Sequence, residues 1–228
     1  MTAEHDGALR GVIFDMDGTL ADTPGAIVSI TLGVLAELGR EADEDAVRAT
    51  VGKPLDHNFS QLLGLPADHA EVQNAMAAYR RGFAEHLAEQ RGRMLYPGVP
   101  KGLIKLRESG LTLAIATSKT HDAAVNVLRT TGILDEFTVV AGHDTVERGK
   151  PAPDMALHVA HELDIPAADC IVIGDAIGDI QMAGAAGMTS IGVSYGVATA
   201  AELLAAGAQS VADSFDDLVT VIAQYRRT

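Results

Sequence analysis

The sequence predicts an α/β protein, a doubly wound parallel sheet interrupted by an all-helical insert. Three observations carry that reading. Short apolar runs occur without polar alternation, as in strands buried on both faces. Helical patterns separate most of these runs, the rhythm of a wound α/β sheet. Between Phe14 and Leu111 that rhythm stops, and the patterns there are all helical.

The first strand is Gly11-Val12-Ile13-Phe14. Residues 24–39, 55–64 and 69–90 then read as helices, separated by Gly, Pro and Asp signals. A single crossover helix cannot use this much chain. The insert is therefore placed at residues 22–95, leaving 1–21 and 96–228 for the α/β body. Tyr96-Pro97-Gly98-Val99 marks the return to that body. The second strand is Leu111–Ala116, followed by a helical pattern over 121–131 with Ala124, Val127 and Leu128 on one face. Thr138–Ala141 is a weaker strand, and 153–163 the next helix. Ile171–Gly174 and Thr189–Val193 are strands flanking a helix at 178–187. The Ala-rich stretch 198–208 and the 214–225 segment read as helices.

The chain has 228 residues and a formal charge of −14, with 47% hydrophobic residues. That length buries a core without disulfide or metal staples. Strong acidity excludes a binder of nucleic-acid backbones, which needs clustered Lys and Arg. No apolar run approaches the roughly 18 residues of a membrane span. The start, MTAEHDGALR, lacks a basic segment followed by an apolar one, so a cytoplasmic location is expected. The single cysteine, Cys170, excludes an internal disulfide and reads as a small buried hydrophobe. Nothing in the sequence speaks for or against a homodimer.

Chemistry gathers at the strand ends. The first strand runs into Asp15-Met16-Asp17-Gly18-Thr19. Ligand sites in open α/β sheets lie beyond the carboxyl ends of strands. Two acids two residues apart face the same way in extended chain, and Gly18 lets the backbone turn. Buried together, such acids repel unless a cation neutralises them, and oxygen-only ligands suit Mg²⁺. Gly174-Asp175-Ala176-Ile177-Gly178-Asp179 ends another strand in the same manner. Asp179 alone would read as a helix cap, but two acid pairs at two strand ends converge on one point.

Donors complete the pattern. Thr117-Ser118-Lys119 ends the second strand before a helix start, a setting suited to phosphate oxygens. In Gly149-Lys150-Pro151-Ala152-Pro153-Asp154 two prolines stiffen the loop that carries Lys150. A lysine so placed can neutralise a nucleophile and a transferring phosphate.

These four segments resemble, in order, the four motifs of the haloacid dehalogenase superfamily of phosphohydrolases. The match is to members with a helical cap after the first motif, of the phosphoglycolate phosphatase-like kind. The segments are Val12–Thr23, Ala114–Lys119, Arg148–Asp154 and Ile173–Asp179. The resemblance implies a Mg²⁺-dependent phosphomonoesterase acting on a small phosphorylated metabolite. Asp15 would be the nucleophile and Asp17 the general acid and base. Asp15, the main-chain carbonyl of Asp17, Asp175 and Asp179 would hold the metal. Thr117 and Lys150 would bind phosphate, helped by loop amides near Gly18 and Ser118, with Lys119 as a further offsetting cation.

Asp17 separates the chain from the true dehalogenases and the phosphonate hydrolases, which lack an acid there. Sugar phosphomutases resemble it more closely, but usually carry a His shortly after the first motif. Here that segment is Pro24-Gly25-Ala26-Ile27-Val28. A mutase is the alternative, and an idle phosphometabolite-binding protein a further one. In the insert, Gly52-Lys53-Pro54-Leu55 is the candidate substrate-reading loop, where Lys53 meets a substrate carboxylate or solvent.

Overall fold

The computed structural model describes residues 8–90 and 93–225. Residues 1–7, which include most of the segment read for a signal peptide, lie outside the described residues. Six strands form one parallel sheet: β1 (Gly11–Phe14), β2 (Thr112–Ala116), β3 (Val139–Ala141), β4 (Cys170–Gly174), β5 (Thr189–Val193) and β6 (Ser210–Ala212). Their spatial order is β3-β2-β1-β4-β5-β6. The direction of winding therefore reverses between β1 and β4, where an open α/β sheet forms its ligand crevice.

The uniform apolar character of the strands has a physical cause. Val12 and Phe14 project into one core with Leu113, Ile115, Ile171 and Ile173. Ile13 projects into the other, with Ala114, Ala116 and Val172. Helices α5 (Val99–Glu108) and α10 (Phe215–Tyr225) cover the first face, and α7 (Asp154–Glu162) and α8 (Ile177–Ala185) the second. With both faces covered, most positions on these strands favour apolar side chains, and the buried Ser190 of β5 satisfies its hydroxyl on Gln209.

Four helices lie between β1 and α5: α1 (Pro24–Glu37), α2 (Glu44–Arg48), α3 (Leu55–Leu63) and α4 (Ala70–Gln90). Pro24 opens α1, where its missing N–H costs nothing. Gly64 ends α3 in the left-handed conformation. α4 packs against α1 and α3, burying Val72, Ala75, Met76, Tyr79, Phe83 and Leu87. The two connections to the sheet run side by side: Ala21 pairs with Leu95 in an antiparallel bridge. Asp22 donates to the Met94 carbonyl at 2.7 Å, and Tyr96 to that of Leu20 at 3.0 Å.

Sequence patterns miss three elements. β6 is three residues long and only its last residue is fully buried, so it shows no apolar run. α2 is a single short turn whose Asp43 accepts the cap bond from Ala46. α5 shows its period only through Val99, Gly102, Leu103 and Leu106, with a glycine on the buried face. Gly102 is required there because Phe215 of α10 packs where a Cβ would sit. Between α6 (His121–Thr130) and the C-terminus the remaining elements fall where expected. The Ala-rich stretch narrows to α9 (Ala200–Ala205).

Candidate functional site

The site forms where β1 and β4 end side by side. Asp15 follows β1, and its N–H donates to the Ile173 carbonyl at 2.8 Å, which fixes it beside β4. Gly18 then turns at φ 81°. A Cβ at Gly18 would run into the Asp175 carboxylate, so the close approach of the two loops requires glycine. Asp175 follows β4 and is held at both oxygens. The Thr19 hydroxyl donates to Oδ1 at 2.9 Å and the Val197 N–H to Oδ2 at 2.8 Å. Asp179 lies in the first turn of α8. Its Oδ2 accepts the Ala176 N–H at 3.0 Å, as a capping residue does. Its Oδ1 faces the cluster, so capping and site duties fall to different atoms.

Asp15, Asp175 and Asp179 are 6%, 1% and 1% exposed. Each presents a carboxylate oxygen within 4.8 Å of the others. Lys150 enters from the loop before α7, its Nζ 2.6 Å from Asp15 Oδ1 and 2.5 Å from Asp179 Oδ1. Arg148 and Asp154 brace that loop with paired contacts at 3.0 and 2.9 Å.

One ammonium does not offset three buried carboxylates. Burial pushes the Asp15 carboxyl well above the usual range; Lys150 opposes this, while Asp179, Asp175 and Asp17 add to it. Burial and then Asp179 push Asp175 up to about 7, against the bonds from Val197 and Thr19. Burial disfavours the Lys150 charge, but Asp15 and Asp179 outweigh it and hold the ammonium above its ordinary pKa. The cluster has more anionic capacity than its protein partners satisfy. Hard oxygen donors in this number, closely spaced and short of positive charge, fit a divalent cation. The glycine cradle around them supports that fit, since a Cβ at Gly174 would also strike Asp179.

Asp17 stands apart from this cluster. Thr23 donates to its Oδ1 at 2.5 Å, and Lys119 Nζ lies 3.2 Å from its Oδ2. The Asp17 side chain thus turns away from the three carboxylates. Thr117 is 1% exposed at the end of β2, and its Oγ1 accepts the Lys119 N–H at 3.3 Å. Ser118 and Lys119 follow on the same loop, half-buried, before α6.

Lys119 also sits over the Phe83 ring of α4, 4.2 Å from its centroid. Beyond it opens a cavity of about 650 Å³ between α4, the Gly52–Leu55 turn and α6, reaching Asp17, Ser118 and Lys119. The Gly52–Leu55 turn borders it, and a Cβ added at Gly52, which has a positive φ of 88°, would reach the Ala176 side chain. Lys53 is exposed, and its Nζ donates to Gln61 Oε1 at 3.3 Å. It contributes to the wall but meets none of the core site residues.

Sequence reasoning passes over Tyr195 and Val197. The Tyr195 hydroxyl donates to the Thr19 carbonyl at 2.9 Å, so the loop after β5 clamps both strand-end loops. The signal available was position alone, after a strand next to the winding reversal.

A doubly wound parallel sheet with acids converging at the ends of β1 and β4 defines an α/β enzyme whose centre suits metal-assisted chemistry. Residues 12–193 match the family described as haloacid dehalogenase-like hydrolase, and the chain belongs to it. It is 41% identical over 209 residues to the probable phosphatase IndB of Dickeya dadantii, covering 91% of each chain. It is 32% identical over 220 residues to a plasmid-borne phosphoglycolate phosphatase of Cupriavidus necator, covering 94% of each. The solved β-phosphoglucomutase of Clostridium difficile superposes with a TM-score of 0.84 at 23% identity, over 96% of this chain and 97% of that one. That last likeness concerns the fold. Among the described residues no helix is long and apolar enough to cross a membrane.

Proposed function

We propose that the chain is a phosphatase that hydrolyses monoesters of small phosphorylated metabolites through a phosphoryl group carried on Asp15, with Mg²⁺ as its cation. The observation that carries this is the pairing of Lys150 with both Asp15 and Asp179, inside a group of three buried carboxylates. Asp15, Asp175, Asp179 and the main-chain carbonyl of Asp17 would hold the cation. When bound, it would neutralise phosphate oxygens and favour attack by an anionic nucleophile.

The protein's own groups then have assignable work. Asp15 attacks phosphorus, and the bond from phosphorus to the ester oxygen breaks. Asp17, facing the cavity where the alcohol departs, gives that oxygen its proton. Water then attacks the phosphoryl group on Asp15, Asp17 takes the proton back, and inorganic phosphate leaves with Asp15 restored. Lys150 favours the anionic form of Asp15 against the effect of burial and holds it in place. Thr117 and the amides around Gly18 and Ser118 receive phosphate oxygens, with Lys119 offsetting Asp17. Residues 22–95 act as a cap that closes over the site and excludes water.

Relatives named phosphoglycolate phosphatase make that ester the first to test. A relative at higher identity carries the general name phosphatase. Phosphate release is measured over a panel of metabolite esters, with and without Mg²⁺, for native protein and Asp15→Asn. Mg²⁺-dependent release lost in the variant is expected. Isomerisation of a sugar phosphate without free phosphate would make the chain a mutase. Saturable binding without turnover of any ester would make it a binding protein.

A further inference from the structure

We infer that the preferred substrate is the phosphate ester of an uncharged, ring-bearing alcohol, seated in the cavity between the inserted helices and α6. This rests on the phosphatase reading above and narrows its substrate class. The cavity is continuous with Asp17, so it receives the alcohol half of an ester whose phosphate lies at Asp15.

Size is the first argument. At about 650 Å³ the cavity falls in the range that encloses molecules much larger than a two-carbon acid. A water occupies roughly 30 Å³ in the liquid, so a glycolate group would leave most of this space filled by solvent.

The wall is the second. Ile27, Leu55, Met76, Tyr79, Phe83 and Leu87 line it, and all but Leu55 are buried. Tyr79 and Phe83 stack at 5.9 Å with planes 17° apart, and Phe59 meets Tyr79 edge-on, so the aromatic wall is rigidly backed. A flat apolar group gains most from such a surface.

Charge is the third. The lining carries Asp17, Asp56, Asp68 and Asp122 against Lys53, Arg80 and Lys119. Lys119 is committed to Asp17 and Lys53 bonds to Gln61. With Lys119 and Asp17 offsetting each other, Asp56, Asp68 and Asp122 remain against Lys53 and Arg80, so the lining is net acidic and offers a second anionic group no net attraction. A carboxylate there would face more acids than bases, while an uncharged ring meets no such opposition.

The test separates this inference from the reading beneath it by using ligands that do not react. Calorimetry with native protein and Mg²⁺ compares 3-phenylpropylphosphonate with 3-phosphonopropionate, the carbon analogue of phosphoglycolate. The phenyl compound is expected to bind about ten- to a hundredfold more tightly, the worth of burying a ring. Equal affinity, or tighter binding of the carboxylate, overturns the inference whatever the turnover assays give. Ala84→Trp, at the exposed edge of the cavity on α4, provides a second measurement. It should shrink the ratio of the two affinities at least about threefold, and an unchanged ratio also counts against the inference. In parallel, 2-phenylethyl phosphate and phosphoglycolate are assayed for phosphate release. Turnover of neither defeats the phosphatase reading, while the affinity ratio still decides the cavity's chemistry.

Discussion

Lys119 places its ammonium 3.2 Å from Asp17 Oδ2 and 4.2 Å from the centre of the Phe83 ring. One side chain of the sheet body thus touches the proposed proton donor and the inserted helices together. A cation over an aromatic face is attracted by the ring's negative face, and more strongly where water is excluded. Lys119 therefore ties the position of the Asp17 side chain to the seating of the inserted helices.

Asp17→Asn should lower turnover of an alkyl phosphate about 10²- to 10⁴-fold, the range for loss of a general acid. With p-nitrophenyl phosphate, whose leaving group needs no proton, the first step should survive. Rapid-quench measurement should then show a burst of nitrophenol approaching the enzyme concentration, followed by slow steady turnover. Loss of burst and steady rate to the same extent would remove Asp17 from the acid role.

Lys150→Met should destabilise the protein without added metal, by about 3–5 kcal/mol at pH 8, because it strands buried carboxylates. The effect should shrink at pH 5. Asp175, with its pKa raised from 3.8 to about 7, holds in the fold a proton that the unfolded chain has released. Stability therefore falls as pH rises through that window, and removing Lys150 steepens the fall. Urea denaturation at pH 5 and 8 checks the sign. Equal loss at both values would mean that the carboxylates are not the cause.

Gly18→Ala and Gly132→Ala separate two roles of glycine. Both residues have positive φ, 81° and 75°. A Cβ at Gly132 meets open space, so that variant should lose about 1 kcal/mol. A Cβ at Gly18 strikes Asp175, so Gly18→Ala should in addition weaken Mg²⁺ binding at least about tenfold by calorimetry. Matching metal affinities in the two variants would detach Gly18 from the proposed metal site.

The sheet was legible because its strands are buried on both faces and leave unbroken apolar runs, as Ile171-Val172-Ile173 does in β4. The three clustered carboxylates were legible because each sits at or just past a strand end. Two features were not. β6 pairs through backbone at Ser210–Ala212, and pairing of that kind leaves little mark on side-chain choice. The clamp from Tyr195 to Thr19 joins residues 176 positions apart, a contact that only the folded sheet creates. Lys53, read from the sequence as meeting either a substrate carboxylate or solvent, stands exposed on the cavity wall and donates to Gln61, eight residues on.

Cys170 should resist alkylation in the native protein. It opens β4 with 1% exposure, its Sγ filling the space where a Cβ on Gly11 would lie. Burial, and then the charge of Asp169, push its thiol from 9.0 up to about 11, with Arg10 opposing. The thiolate is the reacting species, so at pH 8 the folded chain presents little nucleophile and little access. Iodoacetamide should label the protein in urea within minutes and leave the native form unlabelled over hours, read by intact mass. The linkage has a definite sign. Between about 9 and 11 the folded state keeps a proton that the unfolded chain has lost, so stability declines as pH rises across that interval. Cys170→Ala removes this contribution and should flatten the decline in denaturation curves measured at pH 8.5 and 10.5. Rapid native labelling at pH 8 would place the thiol at the surface and undo the packing argument for Gly11.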